Sequence, residues 1–489
     1  MAESTPTLAA IEIPSRHTLG IEVHSIDYVE HGERHGHVRD QRTFWFTGNL
    51  QFLSISLGFI GPSLGLSFAW TSIAGVLGIL FGTLFMAFHA TQGPVLGLPQ
   101  MVQSRAQFGY HGVLIALLGS LINYGGMNVV CALLIMGGLQ HLFGWNPYWV
   151  LAITALWSMA LALLGYDWLH RAFKILFWIS LPLTAILTAA IAIGNVPHGA
   201  PVRLGFSAVA FGVQFAAGAS YNIAFAPYVS DYTRYLKEDT KASSLIVAVF
   251  LGASSSASWL LVLGAWLATR LNGTDPLVAV STAGNAVLHG FGTVLAIDSV
   301  LVLLAVVSID TYSGMLTLVT ASDSVRSIKA TRTVRAIFIG VFTLPWVVVT
   351  LIGGQNAIAS LTLTLTIILY MLVPWTAVNL VDFFCVRRGH YFIRDLFNPH
   401  GIYGQWAWRG LLAYMLGAVA IAPFAVLPNL WTGPLAARMG GIDIGWLIGL
   451  VVAGGSYYLF AKGLRLDLER IAMFGHDPAA AARIAVGGK

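Results

Sequence analysis

Charge is the scarcest commodity in this chain. Charged residues make up 10% of its 489 residues, where a soluble domain carries about 25%, and so few could not cover the surface of a water-soluble fold of this length. Cysteine is nearly absent as well. Cys131 and Cys385 are the only two, each in or beside an apolar stretch, which argues against a disulfide framework or a metal cluster and reads both as packing residues. The first 39 residues are polar, charged and rich in histidine, with no early apolar run. No cleaved signal peptide is expected, and the amino terminus should stay in the cytoplasm. No Walker loop, no HExxH and no Asp-rich pair on the basic loops occurs. ATP-driven transport, zinc proteolysis and a membrane-bound prenyl or acyl transferase therefore lack support, no cofactor is expected, and the chain does not read as an enzyme.

What the chain does have is hydrophobic length. Hydrophobic residues reach 57%, in blocks long enough to cross a bilayer, which takes about 20 residues at about 1.5 Å each. Charge and Gly/Pro punctuation cut it into twelve expected spans: 44–66, 72–92, 113–142, 147–165, 175–194, 206–229, 243–269, 293–320, 336–353, 357–380, 410–430 and 443–461. The expected fold class is an all-α polytopic membrane protein embedded in the lipid bilayer.

Lysine and arginine orient it. With the amino terminus inside, 23 of the 26 fall on the cytoplasmic side and only Arg203, Arg270 and Arg438 outside, as short basic loops are retained. Both termini are then cytoplasmic, in a cell or inner membrane. The net charge of +5 follows from this topology, and no nucleic-acid partner is implied.

Polar residues inside the spans narrow the class. "SISLGFIGPSLG" (54–65) interrupts the first span with Gly58, Gly61 and Pro62, and "AAGASYNIAFAP" (216–227) places Tyr221 and Asn222 among small residues in the sixth. Two interrupted spans five apart point to an inverted-repeat transporter whose broken helices expose backbone groups to a central site, with breaks expected near Gly58 and near Gly218–Asn222. In "APYVSDYTRYL" (226–236), Pro227 ends the sixth span, Ser230 or Asp231 caps a short helix, and Arg234 faces the anionic inner leaflet. Asp298, Asp382 and His89 read as structural. Asn123, Asn128 and Asn222 offer paired donors and acceptors at membrane depth, where such groups are costly without partners. Asn123 and Asn128, five apart, cannot share one narrow face, so one of them should line a cavity.

Three stretches together, "GLPQMVQSRAQFG" (97–109), "APYVSDYTRYL" (226–236) and "PWTAVNLVDFFCVRRGHY" (374–391), resemble the purine/cytosine permeases of the nucleobase-cation symporter-1 family. Their order and spacing carry the resemblance over roughly residues 40–465. It implies a five-plus-five inverted repeat, 44–194 and 206–380, with two additional helices at 410–461 and cytoplasmic tails at 1–43 and 462–489. It also implies import of a small planar nitrogen heterocycle coupled to a cation. The chain is expected to act as a monomer.

Carried over position by position, the resemblance places Phe52 on an aromatic position of the substrate cavity, beside Gly58. Where cytosine carriers have a Gln and a stacking Trp in the third span, this chain has Tyr124 and Met127. The Ser-aromatic pair of the sixth span reads Tyr221 and Asn222. The expected substrate-binding residues are thus Phe52, Gly58, Asn123, Tyr124, Met127, Tyr221 and Asn222, and the expected substrate is a purine, a hydantoin-like ring or an oxidised purine rather than cytosine. The sodium-ligand positions of relatives align with Val302, Ala305 and Val306, none of which has a side-chain oxygen to offer a hard cation. The same helix carries Asp310, a group that is costly at that depth unless paired or protonated, which suits it to carry a coupling proton. A sodium-coupled cytosine permease and a non-transporting membrane sensor of the same fold are the alternatives.

Overall fold

The computed structural model describes residues 27–474, apart from residues 35, 198–203, 272–274, 327, 329–330 and 429. Most of the amino-terminal tail, the end of the carboxyl tail, Arg16, Arg203 and Lys329 lie outside the described residues. The described chain is helical throughout, except for one two-stranded hairpin, β1 (Val426–Leu427) and β2 (Trp431–Thr432).

The helices run in the order the apolar blocks dictate. The first span is broken into α1 (Val38–Asn49), α2 (Phe52–Leu57) and α3 (Ile60–Ser63). Then come α4 (Phe68–Ala90), three short helices α5 (Gln92–Leu96), α6 (Gln100–Gln103) and α7 (Arg105–Phe108), and the long α8 (Leu114–Phe143), α9 (Pro147–Leu164) and α10 (Tyr166–Ala192). The sixth span is α11 (Ala208–Ile223), with the short α12 (Val229–Thr233) beyond its break. It is followed by α13 (Ala242–Arg270), α14 (Pro276–Val287), α15 (Phe291–Asp323), α16 (Arg332–Ile352) and α17 (Ala357–Val381). The remainder comprises α18 (Trp408–Ile421), α19 (Pro434–Arg438), α20 (Gly445–Ala461) and α21 (Leu466–Phe474). Eight of these helices are long and apolar enough to cross a membrane, and the first, eleventh and twelfth spans are shorter apolar helices. α14 was not expected. Asp275 caps it through the Leu277 and Val278 amides and Pro276 occupies its first turn, a start signal present in the sequence.

Helix α4 lies along α11 and α13, and α1 packs on α13, so the two broken spans share one bundle. Small residues make the approach possible. A Cβ at Gly58 would sit 2.2 Å from the Leu261 carbonyl oxygen, and one at Gly264 would sit 1.9 Å from that of Ile55. Gly58 therefore serves close packing against α13 and also ends α2, the α-helix being interrupted at Gly58–Phe59 before α3. Opposite the arginine-rich end, the two halves are tied by backbone bonds from Ser67 N to Gly205 O and from Gly205 N to Gly65 O.

An interruption falls at Gly58–Phe59 as expected, but the wider openings lie elsewhere. The first span unwinds at Leu50–Gln51, where Gln51 is fully extended (φ −143°, ψ 156°), and at Gly58–Phe59 the ladder only tightens to i−3 bonds. The sixth span stays helical through Asn222 and Ile223 and opens at 224–228, where Pro227 cannot continue the ladder. Three further readings are corrected. Cys385 is exposed, although Cys131 is buried. Ser230 and Asp231 do not cap α12; Ser230 Oγ donates to His89 O and to Gln100 Oε1, and Asp231 accepts from the Gln100 amide. Arg234 does not face lipid. It is buried, donating to the Asp27 carbonyl and the Tyr235 hydroxyl.

Candidate functional site

The two breaks face each other across a cavity of about 460 Å³. One wall is α1 and the start of α2, with Gln51 and Leu53. The others come from α8 (Asn123 and Met127), from α11 and the opened segment (Tyr221, Ala224, Phe225 and Tyr228), and from α15 (Val306, Ile309 and Asp310). Asp40 on α1 and Lys174 on α10, both exposed, lie on the same wall, so the cavity opens toward the arginine-rich end.

Hydrogen bonds across the breaks fix the polar side chains. Gln51 Nε2 donates to the Gly48 carbonyl and to the Tyr221 hydroxyl, both at 2.9 Å. Ser54 Oγ, 2.7 Å from the same hydroxyl, donates to the Asn49 carbonyl. Tyr221 thus turns its hydroxyl onto the unwound first span and ties the two broken spans together. Asn123 Nδ2 donates at 2.8 Å to the Ala224 carbonyl, one of the groups that the opened sixth span releases from its helix. These bonds use the amide donors. The buried oxygens Gln51 Oε1 and Asn123 Oδ1 are left without a partner among the described residues, a state that is expensive until a ligand donor reaches them. Asp310 is only 5% exposed and makes no hydrogen bond or ion pair with any described residue.

The expected site residues separate accordingly. Asn123, Met127, Tyr221 and Asp310 come together on the cavity wall, whereas Phe52, Gly58, Tyr124 and Asn222 are buried without lining it. Phe52 is flanked by two residues that do. Tyr124 packs its ring on Tyr228, with centroids 5.6 Å apart. Asn222 donates to Thr83 Oγ1 on α4, and Asn128 to Thr311 Oγ1, so both amides join helices and, of the span-three pair, Asn123 alone faces the cavity. Gln51 escaped the sequence reading, although an amide inside the first apolar block was a usable signal. Val302, Ala305 and Val306 are buried, and Val306 presents its methyl groups to the cavity. Asp298 accepts from Ser180, and His89 stacks on Trp375 at 4.7 Å, as structural readings of both require.

The three motif stretches meet in one buried network at the arginine-rich end, away from the cavity wall. Gln100 Nε2 donates to Gln92 Oε1, and Gln92 in turn donates to Asn379. Gln107 and Tyr391 donate to Asp382 Oδ2, and Arg387 and Tyr457 to its other oxygen. Arg387 also grips Glu469 with two bonds of 2.9 Å. Asp382 is therefore a hub that accepts from four side chains and joins α7 and α20 to the chain beyond α17, more than a helix cap.

Residues 28–449 match the family model described as permease for cytosine/purines, uracil, thiamine, allantoin. The chain belongs to this permease family. Among the relatives of this permease, the candidate purine-cytosine permease YxlA of Bacillus subtilis is 33% identical over 90% of this chain and 96% of its own. Purine-cytosine permease FCY2 of Saccharomyces cerevisiae is 25% identical over 83% of this chain and 79% of its own. In fold the permease is similar to Mhp1, a nucleobase-cation-symport-1 family transporter solved in a closed conformation with bromovinylhydantoin bound. That likeness has a TM-score of 0.68 at 17% identity, over 92% of this chain and 98% of the other. The permease is thus a multi-pass membrane transporter of an inverted-repeat fold, and its family is not one of enzymes.

Proposed function

We propose that this permease imports a purine or a related oxidised or hydantoin-like ring by proton-coupled symport, as a monomer, with both termini in the cytoplasm. The observation that carries the reading is Asp310, a carboxyl group without a partner among the described residues on the wall of a cavity that also holds the amide oxygens of Gln51 and Asn123. Protonated, Asp310 is neutral and can donate to a ring acceptor while the two amides accept ring N–H groups. Its deprotonation toward the cytoplasm removes that donor and weakens substrate binding. The aliphatic side chains at Val302, Ala305 and Val306 support a proton over sodium, since alkyl groups cannot replace an ion's hydration shell.

Support for a purine comes from the relatives named for purine and cytosine. Met127 supports preference against cytosine: its polarizable thioether rests against a ring without imposing the single geometry of a stacked indole. Competition uptake with a panel of bases tests the preference. Purines or hydantoins should compete more strongly than cytosine, and cytosine as the tightest competitor would overturn it.

A further inference from the structure

The cavity is larger than one site needs. At about 460 Å³ it has the size of pockets that hold drug-sized ligands, whereas a single base is smaller, and polar groups stand at both of its ends, Asp40 and Lys174 at the mouth. Gln51, Asn123 and Asp310 sit by the helix breaks. Toward the mouth the lining changes character.

Phe44 and Trp45 lie four to five residues before the end of α1, about 6–8 Å along the helix at 1.5 Å per residue. Phe44 meets Tyr232 of α12 with centroids 4.6 Å apart. Trp45 braces that wall edge-on, 5.6 Å from Tyr232 at 90° and 5.7 Å from Phe225 at 61°. Phe173 and Phe177 of α10, four residues apart and hence on one helix face, are half-buried and line the same cavity, Phe177 meeting Phe46 of α1 with centroids 6.3 Å apart. So many rings along one water-accessible mouth offer a stacking site, and stacking tolerates any flat heteroaromatic ring because every such ring has a π-face.

Resting on the transport reading above, we infer that the mouth is a second, weaker binding site for a planar nitrogen heterocycle, which stacks there on the rings of Phe44, Phe225, Tyr232, Phe173 and Phe177 that line it. A ring released from the central polar groups then passes through this slot before reaching solution at the arginine-rich end. Weak stacking without directional hydrogen bonds suits an exit station, where the ligand must also leave.

The test is equilibrium binding of tritiated adenine to the purified full-length protein in phosphatidylcholine nanodiscs. Wild type should bind two adenines per chain with separate affinities. The double variant Phe173→Leu, Phe177→Leu keeps apolar volume and removes both π-faces, so it should fold, retain the tighter site, and weaken the second at least about fivefold. Asn123→Ala should do the converse. A single adenine per wild-type chain, or an unchanged second site in the double variant, overturns the mouth site and leaves the transport reading standing. No binding at either site of adenine, or of tritiated uric acid and hydantoin in the same assay, overturns both.

Discussion

Asp231 shows how one carboxyl group answers to its surroundings. It is half-buried beside Arg234 and accepts the Gln100 amide, yet burial outweighs both and pushes its carboxyl up to about 6 from an ordinary 3.8. A folded-state value above the unfolded one means that the associated stability is full below about 4 and is lost as pH rises through about 6. Asp231→Asn removes that loss. Its melting temperature should exceed that of wild type at pH 7.5, by a stability difference of no more than about 3 kcal/mol, and should match it near pH 4. Thermal unfolding across that range checks this, and a variant that is less stable only at high pH contradicts it.

At the level of elements, the existence and order of the spans were legible because apolar length sets them, while boundaries such as the start of α10 and the end of α18 lie nine residues from those expected. Pro227 marked the sixth-span opening, but the unwinding at Leu50–Gln51 was not legible, since tertiary bonds place it. Leu50–Gln51 contains no glycine or proline and is unwound where Gln51 reaches Gly48 O and Tyr221, while Gly58, which looks like a breaker, is used for approach to α13. The same cause divided the candidate site. Asn123 and Asn222 are alike in sequence, and only their partners, Ala224 O across the cavity and Thr83 on α4, tell a ligand-facing amide from a helix tie. If the α2–α13 approach holds the first break in register, Gly264→Ala should cost about 1–3 kcal/mol, because a Cβ 1.9 Å from the Ile55 carbonyl oxygen forces backbone to move. Lower thermal stability with a slower uptake rate is the expected readout, and unchanged stability would show that the contact relaxes freely.

For the whole molecule, orientation and coupling are the properties to measure. Cys385 is exposed beside Arg387 and Arg388, at the arginine-rich end, and Cys131 is buried. If that end is cytoplasmic, a membrane-impermeant maleimide should leave right-side-out vesicles unlabelled and react at Cys385 after permeabilisation. Labelling of intact vesicles would invert the topology. Coupling is decided most directly by uptake of a competing base into proteoliposomes carrying wild type or Asp310→Asn. An acid-outside gradient should drive wild-type accumulation, collapse of the gradient should abolish it, and replacing sodium with choline should leave it unchanged. Asp310→Asn imitates the neutral acid and cannot release a proton, so it should still exchange substrate but fail to concentrate it. Strict sodium dependence, or accumulation by Asp310→Asn at the wild-type level, would contradict proton coupling through Asp310.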